Sequence, residues 1–237
     1  MNIKVVLFDL DGTLLPLDQD VFIKDYFGRM AKKLAPYGYE PDKLIKAILA
    51  GMQAMIGNDG SCTNEDAFWR VFTDILGEHV KDDIPVFDAY YRNEFQEVKN
   101  SCGFLPEAAK TVRTIRDMGY RVVLATNPMF PSVATESRIR WAGLLPEDFE
   151  LYTTYENSTY CKPNLKYYEE ILDKIGVLPE ECLMVGNDVG EDMITEKLGM
   201  KVFLLPAYLI NKEGKDISGY PQGDLAELMA YLEGNHG

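Results

Sequence analysis

The sequence predicts an α/β fold: a Rossmann-like parallel sheet core flanked by helices, with an inserted all-helical cap domain. A short apolar run at residues 5–14 ends in acids and a glycine, as a buried strand followed by a turn does. Residues 17–101 show helical periodicity and no convincing strand. From residue 106 onward, helix and strand patterns alternate, which is typical of a parallel sheet. We therefore expect a core of residues 1–16 and 102–237 and a cap of residues 17–101.

The first strand delivers two carboxylates, Asp9 and Asp11, into a turn at Gly12. Ligands of open α/β sheets bind at the carboxyl ends of the strands. Because no basic residue lies beside these acids in sequence, they need a cation or a proton to coexist there. The pattern favours a metal-assisted site, although an Asx-rich turn would accept the same residues.

The inserted segment is expected to contain four helices, near residues 22–34, 41–55, 64–76 and 86–98. Thr63 or Asn64 is expected to cap the third helix. The fourth helix carries an aromatic stripe, which is more typical of packing than of a cofactor site: Phe87, Tyr90, Tyr91 and Phe95. We expect the four helices to form one small bundle with its own core.

Further strands are expected at residues 121–125, 149–153, 182–185 and 201–205, with helices between them and a last helix at residues 224–232. In a parallel sheet with right-handed crossovers, the carboxyl ends of the strands lie at one edge. Polar residues that follow the predicted strands should therefore converge: Asp9, Asp11, Thr126, Lys162, Asp188 and Asp192.

The order of these residues resembles the haloacid dehalogenase (HAD) superfamily. D-L-D-G-T at residues 9–13 resembles its motif I, and Thr126 at the end of V-V-L-A-T-N resembles motif II. Lys162 in C-K-P-N resembles motif III, and residues 186–192 resemble the acidic motif IV with its D-x-x-x-D spacing. Asn187 is a departure, because many members place the first acid directly after the glycine. The inserted cap is similar to that of phosphoglycolate phosphatase and β-phosphoglucomutase-like members.

The resemblance implies a phosphatase that hydrolyses phosphomonoesters of small metabolites through an aspartyl-phosphate intermediate. Asp9 would be the nucleophile, and Asp11 would protonate the leaving group and then deprotonate water. Thr126 and Lys162 complete the expected catalytic set. The expected phosphate-binding residues are Asp9, Leu10, Asp11, Thr126, Asn127 and Lys162. Asp11 also favours phosphoryl chemistry over dehalogenation, which needs no proton for its leaving group.

The cofactor implied by the resemblance is Mg²⁺, which prefers oxygen ligands. Asp9, the backbone carbonyl of Asp11 and Asp188 would hold it. Asp192 would be a further ligand, directly or through water, or would orient the others.

Composition limits the partners to be expected. A net charge of −14 argues against nucleic acid or a membrane surface. We expect a cytoplasmic protein, because the N-terminus resembles no signal peptide, no apolar run is long enough to span a bilayer, and the four cysteines form no metal-binding pattern. The expected partner is a small phosphorylated metabolite, and the oligomeric state is left open.

Two alternatives use the same residues: a phosphosugar mutase of the β-phosphoglucomutase type, and a non-catalytic phospho-ligand binding protein on the same fold. The polar loop at residues 57–63 also has two interpretations of equal weight, a solvated connector or a contact with the leaving group.

Overall fold

A five-stranded parallel sheet forms the centre of the structure, a computed structural model that describes residues 3–234. Its order is β3-β2-β1-β4-β5. The strands are β1 (Val5–Phe8), β2 (Arg121–Leu124), β3 (Leu151–Tyr152), β4 (Cys182–Gly186) and β5 (Lys201–Leu204). The first strand is central and fully buried, with Val5 in register with Arg121 on one side and Cys182 on the other. The predicted α/β class and parallel sheet are confirmed.

Helices occupy the predicted segments. They are α1 (Gln19–Leu34), α2 (Pro41–Ile56), α3 (Asn64–Leu76), α4 (Ile84–Arg92), α5 (Pro106–Asp117), α6 (Ser132–Trp141), α7 (Leu165–Ile175) and α8 (Leu225–Gly234). Thr63 caps α3, because its side chain accepts the backbone N–H of Asp66 at 3.1 Å. The segment after Asp192 is a 3-10 helix, Met193–Leu198.

The predicted helix over residues 86–98 is interrupted at Asn93. There α4 ends, and Glu94–Ser101 continues as a 3-10 helix. The Asn93 side-chain amide donates to the carbonyl of Ala89 at 2.7 Å, and the Asn93 backbone takes φ −116° and ψ −83°. A side chain that bonds its own preceding turn in this way competes with the helical ladder.

Alternate residues of β1 enter two apolar clusters on opposite faces of the sheet, as the strand period requires. Val5 and Leu7 pack with α7 on one face. Val6 and Phe8 belong to a cluster that runs continuously into the buried residues of α1 to α4. The prediction of a separate core for the helical bundle was therefore wrong, since the bundle shares its core with one sheet face.

In the part of the chain that the structure describes, no helix is both long and apolar enough to cross a membrane. Cys62, Cys102, Cys161 and Cys182 are free thiols. The predicted core ranges include residues 1, 2 and 235–237, which lie outside the described residues.

The shared core predicts one cooperative unfolding transition. Phe95, fully buried, joins the helical segment to the sheet domain through Trp141, with ring centroids 5.0 Å apart. Phe95→Ala should lower the free energy of unfolding by about 3–5 kcal/mol. Phe104→Ala, at a ring that is 59% exposed, is the control and should change it by less than about 0.5 kcal/mol. Urea unfolding followed by circular dichroism and tryptophan fluorescence tests this. Two separate transitions, or equal effects of the two variants, would contradict a continuous core.

Candidate active site

The predicted polar residues meet at one edge of the sheet. Asp9 directly follows β1, Thr126 lies two residues beyond β2, and Asp188 lies two residues beyond β4. A cavity of about 340 Å³ opens at this edge and is lined by five of the six predicted residues, namely Asp9, Asp11, Thr126, Asp188 and Asp192. The sixth, Lys162, is bonded directly to two of them.

Lys162 forms the centre of the site. Its Nζ donates to Asp9 Oδ1 at 2.8 Å and to Asp192 Oδ1 at 2.7 Å, and its side chain is 1% exposed. Burial alone would lower the pKa of Lys162, but the carboxylates of Asp192 and Asp9 raise it well above its usual range. Lys162 therefore stays a cation inside the protein.

Asp192 has both oxygens engaged. Oδ1 accepts from Lys162, and Oδ2 accepts the backbone N–H of Asp188 at 3.0 Å. Burial raises the pKa of Asp192, and Lys162 opposes that rise. Asp192 thus connects Lys162 to the turn at Asp188.

The turn after β1 is shaped by Gly12 and Asn187. Gly12 has φ +84°, and a Cβ there would overlap the Asn187 side-chain amide. Asn187 donates to the carbonyl of Tyr208 at 2.6 Å. The Thr13 hydroxyl lies 3.2 Å from Asp9 Oδ2 and 3.0 Å from Asn187 Oδ1, so it donates to one of them at a time. Asn187, the departure from the motif IV pattern, thus supports the motif I turn.

Arg138 is a site residue that the sequence reasoning missed. From α6, with its side chain 1% exposed, it donates from Nη1 to Asp11 Oδ2. Its guanidinium carbon lies 4.4 Å from the centre of the Phe130 ring. Burial raises the pKa of Asp11, and Arg138 opposes that rise. A signal was available, because Arg138 lies four residues after Ala134 and three before Trp141, both on the buried face of the predicted helix.

Thr126 and Asn127 follow β2 at the cavity wall. The Thr126 carbonyl accepts the hydroxyls of Thr153 at 2.6 Å and of Tyr167 at 2.8 Å, which fixes the end of the strand. Asn127 donates to Glu191 Oε2 at 3.2 Å, and its own Oδ1 is buried without a hydrogen-bond partner among the described residues. Glu191 lines the cavity and was also missed by the sequence reasoning. Burial raises its pKa.

The residues present fit a divalent cation with oxygen ligands. Acidic side chains at the cavity outnumber the basic ones, Lys162, Arg138 and Lys212. Asp11 Oδ1 is buried without a hydrogen-bond partner in the described part of the chain. Across residues 3–234, no three acidic, histidine or cysteine side chains already converge on one ion position. The expected set, however, needs only the carboxylates of Asp9 and Asp188 beside the Asp11 carbonyl.

The polar loop at residues 57–63 lies against the core and not in the cavity. The Tyr160 hydroxyl donates to the Asp59 carbonyl at 3.0 Å, and Asn58 donates to Asn64 Oδ1 at 2.9 Å. Asn64, fully buried, donates in turn to the carbonyls of Tyr160 at 3.3 Å and Pro128 at 3.4 Å. Within the described residues, the loop therefore contacts the chain that precedes Lys162 and contributes nothing to the cavity lining.

Gly186 lies close to the Asp192 carboxylate, with no room for a side chain between them. A Cβ on Gly186 would overlap the Asp192 carboxylate, so Gly186→Ala should lower the free energy of unfolding by about 1–3 kcal/mol. Gly28→Ala is the matched control: Gly28 lies within α1, a Cβ there would meet no atom of residues 3–234 within 4 Å beyond its own helix backbone, and the variant should gain about 0.5–1 kcal/mol. Urea denaturation measures both. A Gly186→Ala protein as stable as wild type would show that the Asp192 carboxylate is not held as described.

Comparison with known proteins identifies the family of this chain. The family model for haloacid dehalogenase-like hydrolases matches residues 3–195. The chain is 23% identical over 228 residues to a phosphoglycolate phosphatase of Aquifex aeolicus, covering 95% of this chain and 96% of that protein. It is 22% identical to a glyceraldehyde 3-phosphate phosphatase of Methanothermobacter thermautotrophicus, covering 97% and 100%. The fold is similar to that of a HAD phosphatase from Thermococcus onnurineus, with a TM-score of 0.58 at 23% identity, covering 98% and 99%.

Proposed function

This chain belongs to the haloacid dehalogenase-like hydrolase family, and on that premise we propose that it is a Mg²⁺-dependent phosphatase of small phosphomonoesters. The observation that carries the proposal is the convergence of Asp9, Asp11 and Lys162 at one cavity, with Asp188 at its wall. The phosphatase names of the relatives in Aquifex and Methanothermobacter support it.

In the proposed mechanism, the Asp9 carboxylate attacks phosphorus and forms an aspartyl-phosphate. Thr13 and Lys162 contact different oxygens of Asp9, so they fix the direction in which the carboxylate faces. Lys162 also supplies positive charge to the phosphoryl oxygens, which the Thr126 hydroxyl and the backbone N–H groups at Leu10 and Asn127 help to hold.

Asp11 serves the leaving group. It protonates the departing alkoxide and then deprotonates the water that hydrolyses the aspartyl-phosphate. Arg138 keeps the Asp11 carboxyl group at the cavity and fixes its orientation. When bound by Asp9, the Asp11 carbonyl and Asp188, Mg²⁺ would offset the repulsion between the carboxylates and a phosphate dianion.

The organisation of the chain is part of the proposal. We assign residues 1–16 and 102–237 to the catalytic core and residues 17–101 to a cap that excludes water from the site. A cytoplasmic location is proposed from the free thiols of the four cysteines.

The cavity lining favours hydrolysis over the phosphosugar mutase alternative. A sugar requires hydrogen-bond partners for several hydroxyls, whereas Phe22, Phe68 and Trp69 present rings to the space beside the acids. A non-catalytic binding protein would need no proton-transferring acid at the position of Asp11.

The proposal predicts that Asp9→Asn reduces turnover of 4-nitrophenyl phosphate with Mg²⁺ to below about one-thousandth of the wild-type rate, because the amide is not a nucleophile. EDTA should abolish wild-type turnover, and added Mg²⁺ should restore it. Release of inorganic phosphate is measured. Asp173→Asn, an exposed position on α7, is the matched control and should retain full activity. Activity of Asp9→Asn close to that of wild type would refute the nucleophile assignment, and activity in EDTA would refute the metal requirement.

A further inference from the structure

The cavity extends from the acids into the helical segment, and its chemistry changes along the way. At the sheet edge it is lined by carboxylates. Away from that edge most of its wall consists of aromatic and aliphatic side chains from α1, α2, α3 and α4, with Gln19 of α1 also at the lining; among the apolar ones are Phe22, Ile23, Met52, Phe68, Trp69 and Tyr91. A group attached to a phosphate bound at Asp9 would therefore extend into an apolar space.

The basic side chains that line the described cavity are either paired with an acid or placed at its acidic end. Of the described residues that line the cavity, Arg138 and Lys212 are the basic ones. Arg138 is paired with Asp11 and stacked on Phe130. Lys212 lies two residues beyond Ile210, which pairs with Asp188, so it belongs to the acidic end as well. Of the described cations that line the cavity, a second anionic group among the rings would meet only Arg138, which Asp11 already pairs, and it would lose its hydration there.

The hydroxyls of the wall are largely occupied. Tyr26 and Tyr91 bond each other, with their hydroxyl oxygens 2.8 Å apart. Burial raises the pKa of Tyr91 well above its usual range, so this phenol stays neutral. The wall thus offers ring faces and methyl groups in preference to the polar partners that a polyol would need.

The size of the cavity fits an organic ring beside the phosphate. An apolar cavity of about 150 Å³ is large enough to bind benzene. The cavity here measures about 340 Å³, which is room for a phosphoryl group and one ring with its linker. A substrate as small as a two-carbon phosphate would leave most of the apolar wall in contact with water.

We infer that the natural leaving group is an uncharged alcohol that carries an aromatic or comparably apolar ring. This inference rests on the proposed phosphatase function and adds the chemical class of the substrate. Hydrophobic burial of the ring against the helical segment supplies binding energy, while the acids at the sheet edge act on the phosphate ester.

The test compares phosphate esters whose leaving groups are all simple primary alkoxides, so that differences report recognition more than leaving-group reactivity. Values of kcat/KM are measured with Mg²⁺ for 2-phenylethyl phosphate, ethyl phosphate, glycerol 3-phosphate and phosphoglycolate. The phenyl ester should exceed each of the others at least about tenfold, as expected from burial of one ring. Turnover that favours glycerol 3-phosphate or phosphoglycolate, or that does not distinguish the phenyl ester, would overturn the inference and leave the phosphatase proposal standing. No turnover of any ester, 4-nitrophenyl phosphate included, would overturn the phosphatase proposal and this inference with it.

Variants of the cavity wall distinguish an effect of the apolar pocket on the phenyl ester from a general effect on activity. Met52→Trp fills the pocket from α2 and should lower kcat/KM for the phenyl ester at least about tenfold while changing ethyl phosphate less than about twofold. Gln53→Trp places the same ring on the exposed neighbour and should change neither.

A second pair of variants tests the same pocket if Met52→Trp does not fold. Ile23 lies at the cavity but is 40% exposed, so Ile23→Gln should fold, and it should lower kcat/KM for the phenyl ester several-fold. Val21→Gln, at a position that is 52% exposed, is its control. Equal effects of Ile23→Gln on the phenyl and ethyl esters, or no effect on either, would place the ring elsewhere and refute the inferred pocket.

Discussion

The ammonium group of Lys162 between Asp9 and Asp192 is the interaction on which the rest of the site depends. It joins three segments that are distant in sequence: the end of β1, the loop before α7 and the turn after β4. Removing one partner of a buried ion pair leaves an uncompensated charge, which is far more costly than the pair is stabilising. Helix α7 supports this centre, because the Tyr167 hydroxyl bonds the Thr126 carbonyl and the Tyr168 hydroxyl bonds the Glu191 carbonyl at 2.7 Å.

Each of the two acids of the first motif is paired with its own cation. Asp9 is paired with Lys162, and Asp11 is paired with Arg138. The charges of two carboxylates that lie two residues apart are thereby offset by two different cations. The sequence indicated that these two acids need a cation or a proton. Lys162 and Arg138 supply part of that positive charge. Asp188 and Glu191 keep the cavity acidic enough to suit a metal ion.

Periodicity and strand-end residues were sufficient to predict the sheet, the helical insertion and the convergence of Asp9, Lys162 and Asp192, whereas the hydrolase family was predicted from the resemblance of the motifs. These features are set by local patterns and by the geometry of parallel sheets. Arg138 was missed because an arginine in a helix is usually solvated, and its burial depends on a partner 127 residues away. The break at Asn93 and the shared core were missed for a related reason: a side-chain bond to one carbonyl and the packing of Phe95 on Trp141 are properties of the folded chain.

The contacts between the helical segment and the sheet domain are of two kinds. At one margin, residues 57–64 meet the core through directional hydrogen bonds of Asn64 and Tyr160. Nearer the site, Phe22 and Tyr26 pack against Phe130, with ring centroids 6.2 Å and 5.4 Å apart. Ring contacts of this kind tolerate sliding better than the hydrogen bonds do, because dispersion and burial are non-directional. Phe130 also lies against the Arg138 guanidinium, so the packing of the helical segment is connected to the pair that Arg138 forms with Asp11.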